Sequence, residues 1–403
     1  MLLFTLLIQT VNIKASSNVG ARIGNNYYGT LEEAINAAGP NDVISLTNNI
    51  TLNETLTINK TININLNNFD IKAEERVFTV QGGSLNLSGT GMIYETKPNY
   101  GAITVIGSSD PSDTNYSTVS VGSGITLEGW SGIFINHNNG SAYGILVNID
   151  GGINSVTDSN GITGAGVYVN GNIKNSNNAP IINLSNTARI SSSGTGIYAA
   201  GYATYNIDGA YISGSESGLG IKSGVFYISD GIIHGSGEDK TPTNGNNNGI
   251  NPSGAAIQIE SNNSYKGNIE LNISGGTFES EHSNVIYEYV VNNTSTKVNN
   301  ISISGGTFIS NDNKDVFRLS DSLKNTHQGF ITGGTYSSNP SEYLNNGYST
   351  SLENDMYEVV TSTISVFALK NRNSNNFLII FPIILVLGIF IYLNRNKIIN
   401  FFK

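Results

Sequence analysis

The sequence predicts an all-β chain, a right-handed parallel β-helix with a helical cap at its start and a transmembrane helix near its end. Three observations predict it: a repeated SGGTF-type unit, apolar residues that alternate with polar ones, and a composition rich in turn formers. Gly (46) and Asn (59) make up about a quarter of the 403 residues, and only 12% are charged. That bias suits a repetitive, turn-rich solenoid, while the 38% hydrophobic content supplies a continuous core and argues against disorder.

Residues 1–15 read as a signal segment: Met1 to Ile8 form an apolar run, and Ala15 with Ser16 offers a cleavage site, though the usual basic start is missing. Residues 16–39 read as an opening segment with a capping helix. Thr30 and Glu33 fit a capping box, and Leu31, Ala34, Ile35 and Ala38 fall on one stripe before Gly39-Pro40 ends it. Such a helix covers the first coil and hides strand edges that otherwise invite aggregation.

Residues 40–340 carry the repeats. NISGGTFES (Asn272 to Ser280), SISGGTFIS (Ser302 to Ser310) and FITGGTYSS (Phe330 to Ser338) are close copies, with looser relatives at Asn148, Asn206 and Tyr227. Within each, Leu271, Ile273 and Phe278, or Ile301, Ile303 and Phe308, alternate with polar residues, and Gly-Gly between them supplies a corner. Helical periodicity is absent from this region. Strands this short bury a face only when coils stack, which predicts about twelve coils and a rod of roughly 55 to 60 Å. Asn at matching corners would form amide ladders; an AT-rich coding bias explains the same abundance.

Residues 341–376 read as a closing segment and linker. From Phe377 to Leu393, FLIIFPIILVLGIFIYL contains no charge and is long enough at about 1.5 Å per residue to cross a bilayer. Pro382 and Gly388 are tolerated there. Arg395, Lys397 and Lys403 lie in the basic tail, residues 394–403, and favour a cytoplasmic end, which places the body outside the cell. No LPxTG-like pentapeptide precedes the span, so retention in the membrane is expected.

Three stretches carry a family likeness: Tyr27 to Ile58, the SGGTF units, and Gly333 to Val360. They resemble adhesin-like surface proteins of Gram-positive and related gut bacteria that have pectin-lyase-like β-helices. The resemblance implies surface display, with a polysaccharide or a host surface protein as partner, and no assigned reaction.

The chemistry expected is sparse. A net charge of −10 argues against nucleic acid, and the absence of cysteine excludes disulfides and thiolate metal sites. Asn206-Ile207-Asp208 and Ile233-His234-Gly235 imitate fragments of β-helical hydrolases, but no Asp-Asp and no Arg-x-Lys accompanies them. Asp208 and His234 are therefore read as corner residues, and no catalytic residue or cofactor is assigned. Glu238-Asp239-Lys240 and Asp110 with Asp113 read as solvated turns, and His137, His282 and His327 receive no metal role. The candidate binding surface is Tyr198, Tyr202, Tyr205 and Tyr211, whose faces would stack on sugar rings or meet a protein; the competing reading turns them inward.

Overall fold

A computed structural model describes residues 19–137, 142–171, 173, 177–241, 253–291 and 295–362. The 1–15 segment, the 377–393 run and the 394–403 tail lie outside the described residues. Among the described residues, no helix is long and apolar enough to cross a membrane.

The described chain is all-β and solenoid-like, with a sheet of 23 strands and another of 10. A coil passes twice through the larger sheet and once through the smaller, as in Ser117–Val121, Ile125–Gly129 and Ser131–His137. Each strand pairs in parallel with its equivalent in the next coil, so inward residues form columns. One column runs Ile44, Ile64, Leu87, Val121, Ile149, Leu184, Ile207, Ile228, Ile273, Ile303 and Ile331. These eleven levels span about 48 Å at the usual strand spacing, a little short of the rod expected from the sequence. The shortfall comes from long coils: equivalent residues are 21 apart between Ile207 and Ile228, but 35 apart between Ile149 and Leu184 and 45 apart between Ile228 and Ile273.

A second column starts with Ile50 and Ile71 and ends with Phe278, Phe308 and Tyr336. Its rings stack at 4.7 and 4.8 Å with interplanar angles of 9° and 3°. The Gly-Gly pairs hold the corner before these rings. A Cβ on Gly275 would sit 2.2 Å from the Ser229 carbonyl oxygen, and Gly276 has φ +98°. The first glycine allows the close approach and the second the left-handed turn.

The Asn ladder lies on the outward face of the strands and not at corners, where Asn67, Asn68, Asn313 and Asn354 serve instead as left-handed turn residues. Asn206 donates to Asn183, and Asn183 to Asn148, both at 2.8 Å, in one row of the larger sheet. The same row begins with Asn86 donating to Asn63, which in turn donates to the Asp42 carbonyl. In-register parallel strands bring identical amides to hydrogen-bond distance, and mid-strand positions hold register better than loops.

The ends are closed as physics requires. Leu31–Ala37 forms the capping helix, with Thr30 and Glu33 in a capping box and Leu31, Ala34 and Ile35 buried. At the other end Met356–Thr361 pairs antiparallel with Thr335–Tyr336. A second helix, Asp321–Thr326, corrects the expectation that the repeats lack helix. Ser320 caps it by accepting from the Leu323 amide, and Leu323 is buried, so local capping overrides the strand pattern.

Ile303 is fully buried in its column, whereas His234 lies on the outward face. Ile303→Asn is expected to cost about 1 to 3 kcal/mol beyond its lost packing, and His234→Ala less than about 1 kcal/mol. Thermal unfolding of both variants checks this; equal losses would contradict the column assignment.

Candidate functional site

The outward row of the ten-stranded sheet reads Thr79, Thr104, Phe134, Tyr168, Tyr198, Gly220, Gln258, Tyr287 and Arg318 in register. Three successive coils thus present a ring at one position. Phe134 stacks on Tyr168 at 5.0 Å and 12°, and Tyr168 on Tyr198 at 4.7 Å and 23°. Coil spacing dictates these distances. Trp130, from the preceding corner, leans on Tyr168 at 5.2 Å and 51°.

Over this floor lies a cleft of about 420 Å³. Asn99, Tyr100, Asp158, Ile162 and Tyr265 wall it, and Asn170 joins the rings in its lining. A polar cleft near Asp321, Lys324 and Glu342 is larger, at about 550 Å³, but Tyr343 and His327 are the only rings in its lining. Rings, amides, a carboxylate and titratable groups shifted from their ordinary values converge on the aromatic cleft, which makes it the candidate site.

Stacked rings cover one another's faces, so the floor shows mainly rims. Phe134, Tyr168 and Tyr198 are only 8%, 7% and 2% exposed. Burial holds the Tyr168 phenol up at about 12 and raises Tyr198 as well, so both hydroxyls stay protonated at neutral pH. Asp158 accepts from the amides of Asn160 and Ile162 at 2.8 Å. Slight burial opposes ionisation, but these N–H groups hold its carboxyl below the usual range.

Ionisable side chains with little exposure support the cleft at both ends. At the Tyr198 end, Gly220 leaves the row without a side chain, and the Lys222 ammonium lies 5.3 Å from the Tyr198 ring centre and 4.6 Å from that of Tyr265. Lys222 pairs with Glu260 at 2.7 Å, with side chains 3% and 2% exposed. Glu260 also accepts from Asn262 and Tyr289 at 2.7 and 2.8 Å. Burial pushes its carboxyl up, yet Lys222 and these donors hold it below its ordinary value. Lys297 donates to the carbonyls of Tyr265 and Lys222, and burial lowers its ammonium to about 8.

At the other end, Glu95 is 3% exposed, and its Oε2 accepts from the amides of Trp130 (3.1 Å) and Asn99 (3.4 Å). Burial raises it from 4.5 to about 7, partly opposed by these two amides and by Arg76. The Arg76 guanidinium lies 4.7 Å over the Tyr100 ring.

The four tyrosines singled out by sequence separate. Tyr198 lies in the ring floor. Tyr205 is fully buried, stacked on Phe226 at 4.3 Å, so it belongs to the core and not to a binding surface. Tyr211 is on the outward face of the larger sheet in register with Arg189 and Ile232, and Tyr202 packs against the core. Alternation explains the split: Tyr205 shares phase with Ile207, whereas Tyr211 is out of phase with Ile212.

Asp208 and His234 are not brought together. Asp208 accepts from Ser229 at 2.7 Å, while His234 contacts Ser213 and Glu281, each at 3.2 Å. Asp239 is no solvated turn; it gathers Lys314, Arg318 (3.6 Å) and Ser283 (3.3 Å) because its loop folds back on later coils. Asp110 does sit in an exposed turn, accepting from Ser112. Among the described residues, no group of three or more His, Cys, Asp or Glu side chains is placed to hold a metal ion.

Sequence reasoning missed Trp130, Phe134, Tyr168, Tyr265 and Glu95. Only Glu95 left a local trace, as an acid at the inward position two after Ile93.

Lys222→Met strands the Glu260 carboxylate in the interior and is expected to cost about 3 to 5 kcal/mol. Adding Glu260→Gln should recover most of it, as measured by chemical denaturation; no recovery would mean that the pair is not the cause.

No family model, curated protein or solved structure matches this chain, so what the cleft takes is argued from its own chemistry.

Proposed function

We propose that this chain is an adhesin-like surface protein: a right-handed parallel β-helix, tethered by residues 377–393 as a single-pass anchor, that binds a glycan in its aromatic cleft. The handedness follows the strong preference of parallel crossovers. Placement outside the cell rests on the uncharged run Phe377 to Leu393 and the basic tail after it.

The observation that carries the glycan reading is the composition of the cleft: aromatic rims below, with phenol, amide and carboxylate groups around them. Sugars present C–H patches and hydroxyls together, and a wall that alternates apolar and hydrogen-bonding groups matches both. A host-protein ligand fits less well, since 420 Å³ accommodates a few sugar units better than a flat protein surface.

A second reading is a glycan hydrolase, favoured by one observation: the Asp158 carboxylate lines the cleft, and a second carboxyl, Glu95, raised by burial, lies behind its wall at Asn99 and Trp130. Glu95 faces backbone amides behind the wall, and binding without cleavage is therefore the first reading.

A glycan array probed with the full-length chain in detergent is expected to give defined hits. Tyr265→Ala and Asp158→Ala should each weaken them about tenfold, or about 1.4 kcal/mol. Unaltered hits in both variants would move the site elsewhere, and absence of all hits would leave a structural surface component. Release of reducing ends from a bound glycan would favour the hydrolase. For the anchor, the full chain should pellet with membranes and need detergent for release, while a chain stopped after Asn373 should be secreted. Full-length chain in the soluble cytosolic fraction would contradict display.

A further inference from the structure

We infer that Glu95 is a proton-linked positioning residue of the cleft, whose charge state sets how the walls at Asn99 and Trp130 are held. The inference deepens the reading of the cleft as a binding site and rests on it for its biological use, but the device itself is a property of the empty chain.

The geometry is convergent. Glu95 ends the strand Gly91–Glu95 and points inward, in register with Ala73 of the preceding coil. The rows that continue this corner on later coils carry small residues, Ser155, Ser192, Ser280 and Ser310. Ser155 hydroxyl there donates to the Trp130 carbonyl, and Ser192 to that of Gly164, so the corner column normally pins the turn that follows it. Glu95 does the same job with a longer, ionisable side chain. Its Oε2 takes two amides, from Asn99 and Trp130, which line two sides of the cleft. Among the described residues its Oε1 has no hydrogen-bond partner and is out of reach of water, and the same holds for Arg76 Nε.

The charged groups acting on Glu95 are few. Arg76, on the turn before Phe78–Gln81, favours the ionised form, and Glu75 opposes it. Lys97, on the turn that follows Glu95, is engaged by Glu74 at 2.8 Å. Glu128, on the strand leading to Trp130, stands on the outward side in register with Tyr94 and meets Asn154 at 3.5 Å. Burial outweighs these influences and carries the carboxyl to about 7.

The consequence has a direction. Below neutrality the group is a neutral acid, and the closed arrangement leaves its hydroxyl and the Arg76 Nε without partners among the groups around it. Above neutrality an oxygen bearing charge lies buried without a donor, which is costly; the wall relieves it by parting enough to admit water or the Arg76 guanidinium. Rising pH therefore loosens the Asn99 and Trp130 end. A ligand that excludes water there favours the neutral acid and takes up a proton on binding, so it is held more tightly below pH 7 than above it.

Trp130 is the only tryptophan in the chain and reports on this end without any ligand. Its fluorescence and its quenching by acrylamide are measured on the full-length chain from about pH 5.5 to about pH 8.5. The expected result is one inflection near pH 7, with accessibility rising above it. Glu95→Gln should abolish the inflection and give the low-accessibility signal throughout, while Asp158→Asn should leave it unchanged. No inflection in the unmodified chain, or the same inflection in Glu95→Gln, overturns the proposal. If Glu95→Gln does not fold, a ¹³C-carboxyl glutamate titration of the unmodified chain decides: one resonance must titrate near neutrality, and its absence overturns the proposal. An array without glycan hits bears on the function of the cleft and leaves this titration standing.

Discussion

A parallel coil laid on its predecessor at about 4.8 Å brings each side chain against its own counterpart, and every other feature of the molecule inherits that constraint. Inside, like meets like, so Ile stacks on Ile over the Ile44 to Ile331 column and ring on ring at Phe278, Phe308 and Tyr336. At roughly 1.5 to 3 kcal/mol for each large apolar side chain buried, a column of this length is a substantial part of what offsets chain entropy. Cysteine is absent, so no covalent staple shares that task. Outside, the same spacing turns Asn148, Asn183 and Asn206 into an amide ladder and Phe134, Tyr168 and Tyr198 into a stacked floor.

The constraint also governs what departs from the repeat. A coil can be lengthened only where the strand rows are left intact, so insertions leave at corners and return over the sheet faces. Tyr100, Asp158, Ile162 and Tyr265 all sit on such excursions and converge above the ring floor. Where an excursion covers the sheet, outward positions become buried, and charged residues there need partners. Lys222 and Glu260 meet that need with each other and with Tyr289 and Asn262. Glu95, by contrast, is an acid on the inward side of a corner, and its needs are met only in part, which is why burial dominates its titration.

Much of the fold was legible because it depends on local pattern. The capping box at Thr30, the alternation at Leu271 and Ile273 and the Gly-Gly corners each act through neighbours in sequence, and the structure uses them as expected. The site was legible only in fragments. Tyr198 was singled out, but Tyr205 joined it by sequence proximity and lies on the opposite side of the pleat. Phe134, Tyr168 and Tyr198 fall into one row only after the lengths of two unequal coils are known, and no local signal gives those lengths. Tyr265 reaches the cleft from a loop two coils further on than Tyr198, a contact that only the stacking order creates.

The stacking order itself is open to a direct chemical test, since the chain contains no native cysteine. Asn183 and Asn206 are in register on adjacent coils, whereas Asn148 and Asn206 are separated by an intervening coil. A disulfide needs Cα atoms about 4.4 to 6.8 Å apart, which one coil step of about 4.8 Å meets and two steps do not. In the double variant Asn183→Cys with Asn206→Cys, oxidation is expected to give an intramolecular disulfide within the folded chain; in Asn148→Cys with Asn206→Cys it is not. Ready closure of the second pair, or failure of the first, would contradict the in-register column on which the whole account rests.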